Sequence, residues 1–412
     1  MSYQATNQKL ILPGATIGII GGGQLGRLTA LAAAAMGYKT HIYTPDADSP
    51  ASQVATMTTV GGFENFAALE AFADQVDVAT FEFENIPADC VEQIASRTPV
   101  RPWPSILQIA QNRLREKDFL RSLAIPTVPY AFVCSPSELK AALKDIGLPA
   151  ILKTNRMGYD GKGQVRLDPH TNLEDAWARL QTNEGILEGF VELATEISVI
   201  VARNIDGETL CYPIAENKHQ NQILVETIAP ARILPKLAEE AFHIAEQIAS
   251  ATDLVGILAV EMFVTLDGRL LVNELAPRPH NSGHWTLDAC TTSQFEQLVR
   301  AICGLPLGEV RVHSRAIMRN LIGVGEERWQ HLFFEKDAKV YLYGKSEVLP
   351  DRKMGHVTWL SPLEEELVIT SVDHHNPPPI INPASVNPAS NLMVGPLLTP
   401  GTSNVTPFIK RV

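Results

Sequence analysis

At 412 residues the chain has room for roughly two to four domains, and 45% hydrophobic with 19% charged residues is the balance of ordinary globular cores. A net charge of −12 excludes a general binder of phosphate backbones, so no nucleic-acid partner is expected. No apolar run approaches the ~20 residues of a membrane span, and five scattered cysteines without a C-x-x-C pair signal neither a disulfide framework nor a zinc site.

The start, "MSYQATNQKLILPG", lacks the basic and apolar blocks of a signal peptide, so a cytoplasmic protein without a membrane partner is expected. "ATIGII" reads as a buried strand, and "QLGRLTALAAAAMG" as a helix that Gly37 stops. "KTHIYT" is a second strand, "NFAALEAFADQ" a helix, "VDVATFEFEN" a third strand and "ADCVEQIAS" a further helix. This β-α-β-α rhythm predicts a doubly wound parallel sheet. Proline-rich "TPVRPWPS" closes the region.

Between the first strand and helix, Gly21, Gly23 and Gly26 match G-x-G-x-x-G, which seats a dinucleotide pyrophosphate on a helix N-terminus. A dinucleotide enzyme also wants an acidic residue at the end of the second strand. "IYTPDAD" puts Thr44 there with Asp46 and Asp48 nearby, so the test is inconclusive, and stronger phosphate signals downstream outweigh it.

A second region of mixed strands and helices starts with "LQIAQNRLREKDFLRSLAIP", read as one amphipathic helix ended by Pro126. In "LKTNRMGYDGKGQ", Lys153 closes a strand, and Gly158, Gly161 and Gly163 follow with Lys162 among them. Glycines admit phosphate oxygens to backbone N–H groups, and lysines neutralise their charge. "ILEGFV" offers backbone groups for an adenine edge, with Glu188 at its start, and Glu196 heads the next strand, where it suits ribose hydroxyls.

In "AVEMFVTLDGRLLVNELA", Asp267-Gly268 predicts a two-residue hairpin turn. Counting outward, Glu261 falls opposite Glu274. Facing carboxylates repel unless bridged, and Mg²⁺ favours one or two carboxylates plus substrate phosphates. Arg278, His280, Asn281, Ser282 and His284 follow in the proline-bounded "NELAPRPHNSGHWT". Arg278 suits a planar oxyanion held bidentately, with His280 and Asn281 orienting it. The two histidines are only a weak zinc signal. From about Val310, "RAIMRNLIG", "AKVYLYG" and "GHVTWLS" predict a small β-rich unit, and the Pro/Asn-rich stretch after Asp373 is expected to be poorly ordered.

"GGGQLGR", "FEFEN", "NRLREK", "KTNRMGYDGKGQ", "EGFVE", "ENKHQNQIL", "NELAPRPHNSGHWT" and "YGK…DRKMGHVT" occur in this order across about residues 15 to 360. The chain thereby resembles the ATP-grasp superfamily, and within it the N5-carboxyaminoimidazole ribonucleotide synthase family. The resemblance implies a Rossmann-like pre-ATP-grasp domain (1–112), an ATP-grasp domain with lid (113–309) and a small C-terminal domain (310–372), then the tail (373–412). It implies ATP and Mg²⁺ as cofactors, 5-aminoimidazole ribonucleotide and bicarbonate as substrates, carboxyphosphate as intermediate, and a homodimer.

By the same resemblance Arg113 and Lys153 contact ATP phosphates under the loop Gly158, Tyr159, Asp160, Gly161, Lys162, Gly163 and Gln164. Glu188, Gly189, Phe190 and Val191 line the adenine, with Glu196 at the ribose and His219 nearby. Glu261 and Glu274, beside Asn273, hold magnesium, while Arg278, His280 and Asn281 hold bicarbonate. Gln24, Leu25, Glu82 and Glu84 contact the ribonucleotide. Tyr159 and Asp160 approach its imidazole, Asp160 being one choice for taking the amine proton, and Lys345, Arg352 and Lys353 meet its phosphate. The pattern departs at Thr44, where an aspartate is frequent in the family, and at Met157, where a smaller residue, often glycine, is expected. Three rivals stand beside this reading: a formate-dependent glycinamide ribonucleotide transformylase, an NAD(P)-dependent oxidoreductase and a non-catalytic nucleotide sensor.

Overall fold

The computed structural model describes residues 10–158, 162–323 and 325–363. The first layer is a parallel sheet of β1 (Thr16–Ile20), β2 (Lys39–Thr44), β3 (Met57–Val60) and β4 (Val78–Phe81) in the order β3-β2-β1-β4. Its helices are α1 (Gln24–Ala35), α2 (Phe66–Ala73) and α3 (Ala88–Ala95). β4 is buried throughout and β1 beyond Thr16, as parallel strands covered on both faces require. The edge strand β3 escaped the sequence reading because "MTTV" is half exposed and carries no apolar run. β4 ends at Phe81, so Glu82 and Glu84 lie in the segment after the strand and not on it.

The single helix expected next is two, α4 (Pro104–Ala110) and α5 (Arg113–Ser122). Asn112 takes extended backbone and its side chain accepts the Arg115 N–H at 2.9 Å, so a capped helix starts afresh. An antiparallel sheet follows in the order β5-β8-β6-β7, from β5 (Tyr130–Val133), β6 (Ala150–Thr154), β7 (Gln164–Leu167) and β8 (Gly185–Gly189). Leu139 of α6 (Pro136–Ile146) and Leu180 of α7 (Leu173–Leu180) pack on its Val133, Leu152 and Leu187.

The largest sheet contains β9 (Leu193–Arg203), β10 (Thr209–Cys211), β11 (Ala215–Gln220), β12 (Ile223–Ala229), β13 (Gly256–Thr265), β14 (Leu270–Ala276), β15 (Arg315–Ile322), β16 (Ala338–Leu342) and β17 (Lys353–Ser361). Its order is β14-β13-β9-β11-β12-β15-β17-β16, with β10 beside β9. Alternation along β9 divides two cores. Ile197, Val199 and Val201 face Ala241, Ile244 and Ile248 of α8 (Pro235–Ala251). Ile200 and Ala202 belong to the other core, with Ala289 of α9 (Thr286–Ala289) and Leu298 of α10 (Gln294–Ile302). β15 pairs with β12, so hydrogen bonding continues across the boundary expected at 309/310. The expected disordered tail lies outside the described residues.

Candidate active site

The glycine loop holds an internal anion. Glu82 accepts the Gly23 N–H at 2.6 Å and the Gly26 N–H at 3.1 Å. A Cβ on Gly23 would stand 2.6 Å from Glu82 Oε1, and one on Gly21, at φ +103°, would stand 2.6 Å from Glu82 Cγ. These glycines therefore admit a carboxylate where a dinucleotide would put its pyrophosphate. The dinucleotide reading fails on this ground. Burial pushes the Glu82 carboxyl above its ordinary range.

A cleft of about 840 Å³ opens at this point and is lined by Gln24, Leu25, Glu82 and Glu84. Arg113, Lys153, Gly158, Lys162, Gly163, Gln164, Glu196 and His219 line the same cleft. Glu261, Asn273, Glu274, Arg278, His280, Asn281 and Lys353 are also among its walls. Tyr159, Asp160 and Gly161 lie outside the described residues. Met157 stands at φ +64°, a left-handed conformation that explains why glycine suits this position.

Arg113 sits at the N-terminus of α5, and Asn155 secures that end. The Asn155 carbonyl accepts the Arg113 N–H at 3.0 Å, and its Oδ1 accepts the Leu114 N–H at 3.1 Å. Glu188 departs from its expected place. It is buried beside the cleft, 2.5 Å from Lys153 Nζ and 3.7 Å from Lys117 Nζ, because two cations in a dry site need a counter-charge. The Gly189 N–H donates to the Pro129 carbonyl and the Phe190 N–H to that of Pro149, so neither amide is open to a nucleotide edge. Gly189, Phe190 and Val191 line a separate hollow of about 340 Å³. Glu196 meets His219 Nδ1 at 2.9 Å; burial opposes charge on that imidazole, and Glu196 outweighs it, raising its pKa.

Glu261 and Glu274 face each other as expected, by a different route. The turn takes three residues instead of two, with Thr265 and Arg269 closing it and Gly268 at φ +79°, which shifts the pairing by one. Val264 therefore pairs with Leu270 and Met262 with Val272. A bulge at Asn273 then restores the register, so that Glu261 meets Glu274. Lys117 Nζ donates to the Asn273 carbonyl at 2.8 Å, and Glu116 accepts the Leu275 N–H at 2.7 Å. Asn273 Oδ1 is buried without a hydrogen-bond partner among the described residues. Two carboxylates and this amide oxygen suit a hard cation that takes its other ligands from phosphates and water.

Arg278 pairs with Glu84, which its guanidinium holds below the ordinary carboxylate range against the effect of burial. His280 Nε2 lies 2.9 Å from Glu261 Oε1. His280, with His219 and Arg278 beyond it, holds the Glu261 carboxyl below the ordinary carboxylate range against the effect of burial. Asn281 exchanges amide hydrogen bonds with Asn320 of β15 at 2.9 and 2.6 Å, so its side chain braces the loop. His284 is wholly buried, with its ring against Phe295 and His356. Lys345 and Arg352 are not part of the cleft lining; Lys345 Nζ donates to the Lys353 carbonyl at 2.7 Å and Arg352 to that of Glu347 at 3.0 Å.

Sequence reasoning passed over Glu116, Lys117 and Asn155. A Glu-Lys pair on a charged helix reads as solvated surface, yet Lys117 is fully buried and Glu116 nearly so. Burial, with Glu274 nearby, lifts the Glu116 carboxyl to about 8.

Glu188 carries a pH prediction. Burial alone would raise its carboxyl, but Lys153, Lys117 and Arg113 bring it from 4.5 to about 2. A depressed carboxyl stabilises the fold above the unfolded value and loses that contribution as pH falls through the folded one. Stability should therefore drop between about pH 4.5 and 2. In Glu188→Gln the Tm curve should be flatter in that window and lower at neutral pH, where two lysines lose their partner; an unchanged acid limb in thermal melts refutes this.

Three domain families match in chain order: the ribonucleotide synthetase preATP-grasp domain over residues 14–111, the ATP-grasp domain over 118–295, and the phosphoribosylaminoimidazole carboxylase C-terminal domain over 316–369. The bifunctional purine synthesis protein purC/E of Dictyostelium discoideum is 48% identical over 368 residues; the match takes 84% of this chain but only 37% of that longer protein. The N5-carboxyaminoimidazole ribonucleotide synthase of Bacillus subtilis is 45% identical over 366 residues, 88% of this chain and 96% of the relative. The crystal structure of N5-carboxyaminoimidazole synthase from Aspergillus clavatus, in complex with ADP and 5-aminoimidazole ribonucleotide, superposes with TM-score 0.79 at 30% identity, covering 84% of this chain and 94% of that one. On full-length likeness and on a shared succession of domains, the chain belongs to the N5-carboxyaminoimidazole ribonucleotide synthase family of ATP-grasp enzymes.

Proposed function

We infer that the chain is an ATP-dependent ligase. It carboxylates 5-aminoimidazole ribonucleotide with bicarbonate to N5-carboxyaminoimidazole ribonucleotide, releasing ADP and phosphate, in purine biosynthesis. The carrying observation is that one cleft is lined together by Arg113 and Lys153, which we assign to the nucleotide, by Gln24, Glu82 and Glu84, which we assign to the ribonucleotide, and by Arg278 and His280.

Bicarbonate is a poor electrophile, and transfer of the ATP γ-phosphoryl group to it gives carboxyphosphate. Arg113 and Lys153 neutralise the phosphates, and the loop from Gly158 to Gln164 covers them and keeps water from the intermediate. Glu261, Glu274 and Asn273 would hold Mg²⁺, which supplies charge neutralisation at the transferred phosphoryl group. Arg278 fixes the planar anion, and Glu84 fixes Arg278. The exocyclic amine then attacks the carbon of carboxyphosphate, whose C–O bond breaks to release phosphate, or the carbon of CO₂ that has already left that phosphate, with Asp160 or a phosphate oxygen taking the amine proton. Lys353, at the cleft wall, serves the ribonucleotide phosphate, with Lys345 and Arg352 close in the chain. A cytoplasmic homodimer completes the reading on family resemblance. Among the described residues no helix is long and apolar enough to cross a membrane.

The test is ADP release with Mg-ATP, adding bicarbonate and 5-aminoimidazole ribonucleotide singly and together. Stimulation by the pair is expected. Turnover instead with formate and glycinamide ribonucleotide would move the chain to the rival ligase.

A further inference from the structure

A row of polar side chains crosses the largest sheet beneath His280. Thr227 Oγ1 donates to Asn217 Oδ1 at 3.0 Å, and Asn217 Nδ2 donates to Ser198 Oγ at 3.0 Å. Ser198 Oγ donates to Ser282 Oγ at 2.8 Å, and Ser282 Oγ lies 2.8 Å from His280 Nδ1. Thr227 and Ser282 are fully buried, Ser198 is 1% exposed and Asn217 5%. The strands carrying the first three, β12, β11 and β9, are otherwise largely apolar at buried positions, where a polar row is costly unless every member is satisfied.

The direction of the row is set at its far end. The backbone N–H of Ser282, which can only donate, points at His280 Nδ1 from 3.3 Å. Nδ1 is therefore the acceptor, and a neutral imidazole carries its proton on the other nitrogen. The Ser282 hydroxyl receives from Ser198 and so gives its own hydrogen to the same Nδ1. Nε2–H is left aimed at Glu261 Oε1, 2.9 Å away. The backbone of His280 is held as firmly: its N–H donates to Gln294 Oε1 at 2.9 Å, and its carbonyl accepts from Gln294 Nε2 at 2.7 Å.

We propose that Thr227, Asn217, Ser198 and Ser282 are positioning residues that lock His280 in its Nε2–H tautomer, so that His280 acts in the cleft as a hydrogen-bond donor to the bicarbonate-derived anion and never as the base. The role assigned to the anion rests on the function inferred above; the tautomer does not. The amine proton accordingly leaves by another route.

¹⁵N NMR of ring-labelled histidine in the full chain, with His280 assigned by difference from His280→Gln, should show a protonated Nε2 and an accepting Nδ1. Ser282→Ala removes one donor to Nδ1 without adding volume. With the 2.8 Å hydroxyl bond gone and only the longer 3.3 Å backbone N–H left on Nδ1, the Nδ1–H tautomer should become populated beside the native one, and kcat should fall about 10- to 100-fold, the usual reach of residues that orient a ligand from behind, with KM for ATP within about twofold. Ser198→Ala, which leaves Ser282 in place, should act in the same direction and more weakly, and it serves should Ser282→Ala fail to fold. His280→Gln keeps an N–H donor near Nε2 and should retain far more activity than His280→Ala. A protonated Nδ1 in the native protein overturns the proposal, as does a serine variant with native tautomer and kcat, or His280→Gln as inactive as His280→Ala. A protein that released no ADP with these substrates would defeat the functional reading, while the NMR result would still decide the tautomer.

Discussion

Glu274→Ala is expected to lower kcat for ribonucleotide-stimulated ADP release by on the order of 10³-fold, with the fold intact. Glu274 lines the cleft and its side chain is 39% exposed, so its removal leaves no deep cavity. Its partner Arg113, 3.5 Å away, keeps other acidic neighbours in Glu188 and Glu116. The loss falls instead on phosphate neutralisation, because Glu274 and Glu261 are the facing carboxylates available to a divalent cation. Glu274→Gln preserves shape and hydrogen bonding but not charge, so it should be nearly as impaired. Steady-state ADP assays with a thermal melt check both. Activity within tenfold of native in Glu274→Ala would remove Glu274 from the metal site.

Lys117→Met is expected to destabilise the protein by about 3–5 kcal/mol, the range for breaking a buried ion pair by removing one partner. Lys117 is fully buried and joins three structures: the Asn273 carbonyl at 2.8 Å, the Val272 carbonyl at 3.4 Å and Glu188 at 3.7 Å. Methionine fills much of the volume but returns none of these contacts. The Asn273 carbonyl then loses this donor in a dry site, and Glu188 keeps only Lys153 and the more distant Arg113. Because Asn273 is the residue that returns Glu274 to register, nucleotide-dependent turnover should fall with stability. Urea unfolding measures the first effect. A loss below about 1 kcal/mol would show that the bulge stands without Lys117.

The hairpin shows how far local reading reaches. Asp267-Gly268 marks a turn, but not whether two or three residues close it. The shorter turn and an unbroken ladder predict the same Glu261–Glu274 pairing that the longer turn and a bulge produce. The pairing was legible while its cause was not, since a bulge has no signature in "LLVNEL" and is held from α5, some 150 residues earlier. Glu188 and Lys117 show the same limit. A carboxylate within "ILEGFV" and a lysine within "RLREKDF" each look available, and only their joint burial shows that they neutralise one another.

What the sequence determined by itself is local and chemical. Strand and helix rhythm, the glycine positions, the acids on one hairpin and the Arg-Pro-His-Asn loop follow from periodicity, turn chemistry and side-chain type, all of which act over a few residues. Only the tertiary structure decided which anion fills the glycine loop, which cation clamps the bulge and which nitrogen of His280 carries the proton. Each of these depends on a partner 59 or more residues away, Glu82 for Gly23, Lys117 for Asn273 and Ser198 for Ser282. Periodicity records which face of an element is buried; it carries no record of the distant group that burial brings against it.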